Sequence, residues 1–298
     1  MSVVAILNPK SGSGKSSARR YLPGGVDVLE TKAPGHAIEL TAEALRRGAK
    51  TIVAIGGDGT INEIVNGFFD GDRLINPEAV LAIIPHGTGS DLRRTLKLPS
   101  DEKEAADLIR HGTPRPVDMA RVRYTALQGK PASRYSINLT SFGMGGAVAA
   151  RANRSSKHFG GRMSFLTATL TTAIRYRGKP VRLKLDGAEP IDVSVMNVAI
   201  GNGQYHGGGM WVCPGALLDD GLLDVTIIRA MTLPRLVTSL PMLYNGKIYT
   251  HPDVTSHRAK RVEANSTETT LIEIDGEPLG RLPIEVTVMP AALRILLP

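Results

Sequence analysis

Three glycine-rich segments, each directly after a short apolar and β-branched run, constrain the fold most. The segments are residues 8–14, 56–63 and 85–91, and the runs before them are residues 3–7, 51–55 and 80–84. Residues 36–47 have apolar side chains at helical spacing and are followed by a glycine, which predicts a helix between two of the strands. Strand and helix in alternation predict a parallel, doubly wound α/β sheet. Because the carboxyl ends of parallel strands meet at one edge, we expect the three loops to lie together there.

Glycine-rich loops at that edge are typical of phosphate binding. Glycine lets the backbone approach a phosphate closely, and the helix that follows offers unpaired N–H groups. Asp58 stands among these glycines, where a carboxylate would repel phosphates unless a cation lay between them. The pattern therefore indicates a site for Mg²⁺ and ATP. The alternative is a tight turn in which aspartate is present only for its backbone conformation.

Two other nucleotide motifs are partly matched in the first loop. Gly14-Lys15-Ser16 resembles the end of a P-loop, but Pro9 stands where that motif needs glycine. Gly12-Ser13-Gly14 resembles a dinucleotide fingerprint in which Ser17 replaces the third glycine. A nicotinamide-dependent oxidoreductase thus remains an alternative.

From about residue 116 the pattern changes to short strands separated by Asp-Gly turns, which predicts a mostly antiparallel β domain. The predicted strands are residues 117–122, 133–139, 181–185, 191–200, 222–228, 262–264, 271–274 and 284–289. Helical spacing is confined to about residues 147–154, 165–175 and 233–243. Asp219, Asp220 and Asp224 surround one turn and offer oxygen ligands for a cation, although from these residues alone a plain hairpin turn is the preferred explanation.

Composition restricts the class of protein. The chain carries a net charge of +8, which suits an anionic membrane surface or polyphosphate substrates. Only 4% of its residues are aromatic, which argues against base stacking on nucleic acid. A single cysteine excludes an internal disulfide and a cysteine metal cluster. No run reaches the roughly 18 apolar residues of a spanning helix, and no signal peptide is recognisable, so we expect a cytoplasmic protein.

Landmarks along nearly the whole chain resemble the diacylglycerol kinase catalytic-domain superfamily, especially its soluble bacterial lipid kinases and the sphingosine kinases. They are Asn8-Pro9-Lys10-Ser11-Gly12, Gly56 to Glu63, Pro85 to Asp91, Asn138 to Gly143, Gly201-Asn202-Gly203, Gly207-Gly208-Gly209, Pro214 to Leu223 and Asp275-Gly276-Glu277. The Gly-Gly-Asp-Gly core is shared with NAD kinases, which keeps an NAD kinase-like enzyme as an alternative. His86 and Ser90 stand where the family commonly has leucine and asparagine, so a non-catalytic lipid- or nucleotide-binding protein is another.

The resemblance implies an N-terminal ATP-binding α/β domain over residues 1–118, with residues 283–298 returning to it. A C-terminal β-sandwich over residues 119–282 would bind the lipid. The implied ATP contacts are Asn8, Pro9, Lys10, Ser11, Gly12, Thr31, Gly57, Asp58, Gly59, Thr60, Ile61, Asn62, Glu63 and Thr88.

It further implies Glu277 as general base, with Asp58 and Asp118 beside it. A structural Mg²⁺ would be held by Leu217, Asp220 and Leu222, mainly through backbone oxygens. The implied partner is a lipid substrate at the inner face of the membrane, contacted peripherally. The sequence does not indicate the oligomeric state.

Overall fold

The computed structural model describes residues 2–12, 16–87, 90–154, 171–172 and 175–298. The chain forms two compact units, Met1–Val117 with Ala291–Pro298, and Asp118–Pro290. The return to the first unit comes later than the predicted residue 283, because residues 284–287 pair with a strand of the second unit. The helix predicted over residues 165–175 lies almost entirely outside the described residues.

The first unit is a mixed α/β unit with a parallel sheet. Its strands are β1 (Val3–Leu7), β2 (Asp27–Glu30), β3 (Thr51–Gly56), β4 (Phe69–Asp70), β5 (Arg73–Leu74) and β6 (Val80–Pro85), and its helices are α1 (His36–Arg46), α2 (Asp58–Gly67), α3 (Asp91–Leu96) and α4 (Glu102–His111). Strands β2, β1, β3 and β6 are neighbours in that order and pair in parallel. Ile295, near the chain's end, pairs in parallel with Leu81 of β6. The placing of helices on both faces of this sheet stays a prediction.

Local sequence explains these elements. Every residue of β3 is buried, as expected of a strand covered on both faces. Helix α4 begins where the Asp101 side chain accepts hydrogen bonds from the amides of Lys103 and Glu104. The sequence pattern predicts a helix over residues 61–69, but α2 begins three residues earlier, at Asp58. Helix α3 was not predicted. The earlier start places Asp58 in the first turn of a helix.

The second unit is mostly antiparallel, as predicted. Its elements are β7 (Thr113–Ala126), which enters from the first unit, β8 (Pro131–Ser136), β9 (Leu139–Gly143), α5 (Met144–Arg154), β10 (Lys179–Leu185), β11 (Ile191–Gly201), β12 (Tyr205–His206), β13 (Met210–Trp211), β14 (Leu223–Arg229), α6 (Leu233–Ser239), β15 (Val254–Ala259), β16 (Arg261–Asn265), β17 (Leu271–Ile274) and β18 (Glu277–Leu297), which returns to the first unit. The long strand β11 pairs with β10, β14 and β9, and its residues Val195, Val198 and Ile200 lie in an apolar cluster of this unit.

The strand predicted over residues 133–139 is wrong in one respect, because it is interrupted at Ile137 and Asn138. The amides of these two residues donate to the Asp275 carboxylate, at 3.0 and 3.1 Å, rather than to a neighbouring strand. Within the part of the chain that is described, no helix is long and apolar enough to cross a bilayer.

Candidate active site

The three predicted loops meet at the carboxyl edge of the parallel sheet. Register pairs Ile55 of β3 with Leu7 on one side and Ile84 on the other, so the three strands end level. Asn8 then links the first loop to the second, because its side-chain amide donates to the Thr60 hydroxyl at 2.9 Å. The third loop is tied in by the amide of His86, which donates to the carbonyl of Gly56.

Backbone packing at this edge depends on glycine. A Cβ placed on Gly87 would lie 2.7 Å from the Cα of Gly57, so the second and third loops approach as closely as two glycines allow. Gly12 has a φ of 71°, in the left-handed region that favours glycine. The first loop is folded by Asn8, whose side-chain oxygen accepts from the Lys10 amide at 2.9 Å and whose carbonyl accepts from Ser11. The loops therefore bring main-chain groups together, as a phosphate-binding edge requires.

Asp58 lies where two helices begin. Its carboxylate oxygens accept hydrogen bonds from the amides of Asp91 and Leu92, at 3.2 and 3.4 Å, in the first turn of α3. Asp58 is itself the first residue of α2. The carboxylate is thus fixed between two helix N-termini, and its oxygens are of the kind that Mg²⁺ prefers.

The residues that follow Asp58 in the same segment point largely into the fold. Asn62 is completely buried and Ile61 nearly so. The Glu63 carboxylate accepts from the amides of Gly35 and Ala37, at 2.8 and 3.3 Å, and so caps the N-terminus of α1. These side chains serve the fold of the loop region. Their implied contacts with ATP stay a prediction.

Thr31 and Thr88 complete the implied ATP contacts. The Thr31 amide donates to the carbonyl of Leu7, which places Thr31 beside the first loop. Thr88 lies outside the described residues.

His86 connects the loops to helix α4. Its Nδ1 lies 2.8 Å from the Glu102 carboxylate, and a Cβ on Gly12 would come within 2.7 Å of its Nε2. Glu102 also accepts hydrogen bonds from Ser16 and Ser17. Burial alone would raise the pKa of Glu102, but the bonds from Ser17 and Ser16 and the nearby His86 outweigh it and lower the pKa below its ordinary value. Histidine therefore has a structural reason to stand at position 86, next to the first glycine loop.

In the second unit, Asp275 holds the turn that presents Glu277. The carboxylate of Asp275 accepts four hydrogen bonds, from the Ser136 hydroxyl at 2.7 Å and from the amides of residues 137, 138 and 139 at 3.0, 3.1 and 2.9 Å. Asp275 is buried, with a φ of 48°, and Glu277 is half-buried two residues later. The predicted general base thus follows a firmly anchored turn.

A buried acid supports the same turn from within. Glu273 is completely buried, and its carboxylate accepts from the Gly276 amide at 2.7 Å. Burial raises the pKa of Glu273, and His206, with its Nε2 3.7 Å from the carboxylate, offsets this only in part.

Asn202 connects this turn to Asp118. Its side-chain amide donates to the carbonyls of Asp118 and Ile137, both at 2.8 Å, and its backbone amide donates to Asn138. Asp118 is almost fully buried, and its carboxylate accepts from the Gly221 amide at 2.6 Å. Asp118 therefore organises the loop that contains the aspartate cluster of residues 219–224.

In that loop the one carboxylate of the implied Mg²⁺ site, Asp220, is already engaged by other groups. One oxygen of Asp220 accepts from the Leu222 amide at 3.0 Å, and the other pairs with Arg258. The same guanidinium lies 3.4 Å from the Asp224 carboxylate. A dication beside Asp220 would be repelled by this arginine unless the guanidinium moved away, so the implied Mg²⁺ site stays a prediction. Leu217, the third predicted ligand, has an exposed side chain in the same loop.

Sequence reasoning did not assign roles to Asp275, Asn202 or Glu102. Asp275 and Asn202 stand in motifs that were recognised, an Asp-Gly turn and a Gly-Asn-Gly sequence. Their hydrogen-bond partners are distant in sequence: Asn202 and Ile137 are 65 positions apart, and Asp275 and Leu139 are 136 positions apart. No local pattern contains such pairs.

Comparisons with known proteins agree with this architecture. Residues 2–122 match the diacylglycerol kinase catalytic domain, and residues 138–297 match the YegS C-terminal NAD kinase beta sandwich-like domain. The chain is 32% identical to a diacylglycerol kinase of Mycobacterium tuberculosis strain H37Rv, over 99% of this chain and 95% of the relative. It is 31% identical to a YegS-like lipid kinase of Pseudomonas aeruginosa PAO1, over 99% and 94%.

Solved structures give the same result. A Bacillus anthracis protein assigned as a diacylglycerol kinase superposes with a TM-score of 0.79 at 25% identity, over 100% of this chain and 97% of that one. Yeast NADH kinase superposes with a TM-score of 0.55 at 14% identity, over 100% and 84%, which shows a shared fold alone. The chain belongs to the diacylglycerol kinase catalytic-domain superfamily, in its YegS-like lipid kinase branch.

Proposed function

We propose that this protein is an ATP-dependent lipid kinase, which transfers the γ-phosphate of ATP to a hydroxyl of diacylglycerol or a related lipid. The observation that carries the proposal is the meeting of three glycine-rich loops around Asp58, in a chain of this family. A cytoplasmic location, with peripheral contact at the inner membrane face, goes with it.

In this proposal the loops of Asn8 and Gly57 cradle the phosphates with main-chain groups, next to the first turns of α2 and α3. Asp58 faces the metal that accompanies ATP, directly or through water. Mg²⁺, when bound, would neutralise the phosphate charge that otherwise repels the attacking oxygen. Glu277 accepts the proton of the lipid hydroxyl.

Transfer of labelled phosphate from ATP tests the proposal, with diacylglycerol, a sphingoid base, phosphatidylglycerol and NAD as parallel acceptors. We expect a lipid to be labelled and NAD not. Labelling of NAD alone would support an NAD kinase-like enzyme. Binding of ATP and of a lipid without phosphate transfer would support a non-catalytic binding protein.

Two variants test the assigned residues. Asp58→Asn should reduce phosphate transfer at least about 10³-fold, and Glu277→Gln about 10²- to 10⁴-fold, the usual contribution of a general base. Asp70→Asn and Glu268→Gln are matched controls, because these acids are exposed and form only surface ion pairs. An Asp58→Asn enzyme with full activity would overturn the assignment.

A further inference from the structure

The segment of residues 230–252 combines apolar exposure with an absence of acidic residues. It contains Arg235 and Lys247 but no aspartate or glutamate. It begins directly after Arg229 and includes α6 and the turns that follow it. Both of its own formal charges are therefore positive, and Asp253, directly after it, pairs with one of them, Arg235.

Large apolar side chains are exposed on this segment. Leu233, Val237 and Tyr244 are 37%, 49% and 54% exposed. Among the described residues only Leu127 and Leu217 are also exposed large hydrophobics, so three of these five lie within twelve positions. Leu233 and Val237 are four residues apart and lie on the same face of α6. We call Leu233, Val237 and Tyr244 the apolar patch.

The patch is carried by a packed element. Leu236, which neighbours Leu233 around α6, is buried in a cluster with Met196, Ile228, Ile248 and Val254. Arg235 pairs with Asp253 at 2.8 Å, and the Ser239 hydroxyl lies 2.8 Å from the His251 ring. The inner face of the segment is thus fixed to the unit while the apolar patch faces outward.

We propose that the apolar patch docks on an anionic lipid bilayer. Leucine and valine gain from burial in the acyl region, and tyrosine suits the boundary between headgroups and acyl chains. Arg235 is already paired with Asp253, so the cation that complements anionic headgroups is Lys247, for which no ion pair is found among the described residues. The inference rests on the proposed function, since an enzyme whose acceptor is a membrane lipid must contact the membrane.

Co-sedimentation of the full chain with vesicles tests the proposal. The vesicles are made of phosphatidylcholine with or without phosphatidylglycerol. We expect the Leu233→Ser/Val237→Ser variant to bind the phosphatidylglycerol vesicles about tenfold more weakly than the unchanged protein, from the apolar area removed. Leu127→Ser is the matched control, because Leu127 is 55% exposed on the turn between β7 and β8. Thermal melts of both variants should match the unchanged protein, since all three side chains are exposed.

Equal vesicle binding by the double variant and the unchanged protein would overturn the proposal, as would an equal loss in Leu127→Ser. Light scattering adds another test: if the unchanged protein is a dimer that the double variant converts to a monomer, the apolar patch is a contact between two copies and the proposal is wrong.

A second assay separates this inference from the proposed function. Phosphorylation of a short-chain, water-soluble diacylglycerol needs no membrane contact, so the double variant should keep its turnover there and lose it on vesicles. Patch-dependent vesicle binding without turnover of any lipid would leave the docking surface standing and refute the kinase. If the double variant and the unchanged protein have equal turnover on vesicles, and also on the soluble lipid, the docking surface is refuted while the proposed kinase function stands.

Discussion

Replacing Asp275 by asparagine tests whether the anchored turn governs the presentation of Glu277. Asparagine suits the comparison because the φ of 48° at this position lies in the left-handed region, which asparagine and aspartate both tolerate. The change therefore keeps the turn conformation and alters the hydrogen bonds. Of the four donors around the carboxylate, three point to Oδ1 and one, the Ile137 amide, points to Oδ2.

The magnitude follows from these contacts. With the asparagine oxygen at the Oδ1 position, its NH₂ group opposes the Ile137 amide, so one bond is lost and three become bonds to a neutral acceptor. Hydrogen bonds to a charged group contribute about 1.5–3 kcal/mol and neutral ones about 1 kcal/mol, so simple addition gives a loss of about 3–9 kcal/mol. Because four bonds that share one carboxylate are not additive, we expect the lower end of that range, about 3–5 kcal/mol. For a unit of this size that corresponds to a fall in Tm of roughly 6–20 °C.

Asp186→Asn is the matched control. Asp186 also has a φ of 48° in an Asp-Gly turn and accepts two amides, from Lys260 and Arg261, but it is exposed. We expect its variant to lose no more than about 1 kcal/mol, because water replaces the lost bonds.

Thermal unfolding and lipid phosphorylation together check the prediction. Below its Tm, Asp275→Asn should lose about 10- to 100-fold in kcat with little change in KM for ATP, because a misplacement of about 1 Å at a catalytic group costs that much. If Asp275→Asn and Asp186→Asn have the same Tm and the same kcat, the role given to the anchored turn is wrong.

Three further predictions concern charge and burial. The pKa of Glu102 is lowered in the folded protein, so the stabilisation that its charge gives is complete above its unfolded value near 4.5 and is lost as pH falls through the lower folded pKa. Glu102→Gln should therefore have a lower Tm than the unchanged protein at pH 7, and the difference in Tm should close in acid. A difference in Tm that does not change with pH would contradict this. Arg258→Gln should lower the free energy of unfolding by about 1–3 kcal/mol, because Asp220 and Asp224 lose their cation. In the absence of nucleotide, millimolar Mg²⁺ should raise the Tm of this variant but not that of the unchanged protein. Equal Mg²⁺ effects on the two proteins would support the implied metal site. Cys213 is completely buried, and burial raises its pKa to about 12. A thiol reagent at pH 8 should therefore label Cys213 only in denaturant. Rapid labelling of the native chain would show that Cys213 is not buried.

Much of the first unit could be predicted from sequence because its signals are local. An apolar strand such as β3 and the glycines that follow it stand within a few residues of each other in the sequence. Their alternation with helices implies the parallel order of the strands. The edge at which Asn8, Gly57 and Gly87 meet follows from that order alone. The bounds of α2 were less accurate, because Asp58 lies at its N-terminus and its partners Asp91 and Leu92 lie on another helix.

The second unit was predicted as antiparallel, but the support of its acidic residues was not. Asp275 depends on amides of residues 137–139, and Asp118 depends on Gly221 and Asn202. Such pairings result from the register of strands that are distant in sequence, which turn chemistry does not specify. The implied Mg²⁺ site stays a prediction, and the sequence around Asp220 does not reveal that Arg258 pairs with its carboxylate.

Asp58 and Glu63, the two acids of the second loop, both stabilise helix N-termini, so a mutation of either one affects the fold as well as the site. Asp58 caps α3 and Glu63 caps α1, so this one segment orders the N-termini of two neighbouring helices as well as its own. Asparagine and glutamine each keep one acceptor oxygen, so Asp58→Asn and Glu63→Gln each lose one of two amide bonds, should cost about 0.5–1.5 kcal/mol, and should lower Tm by similar amounts. A role of Asp58 in phosphate transfer is supported only if its variant loses activity far beyond that of Glu63→Gln at matched loss of Tm. Equal losses of activity would mean that Asp58 contributes no more than Glu63, through loop shape or the implied ATP contact, and would refute a metal role specific to Asp58.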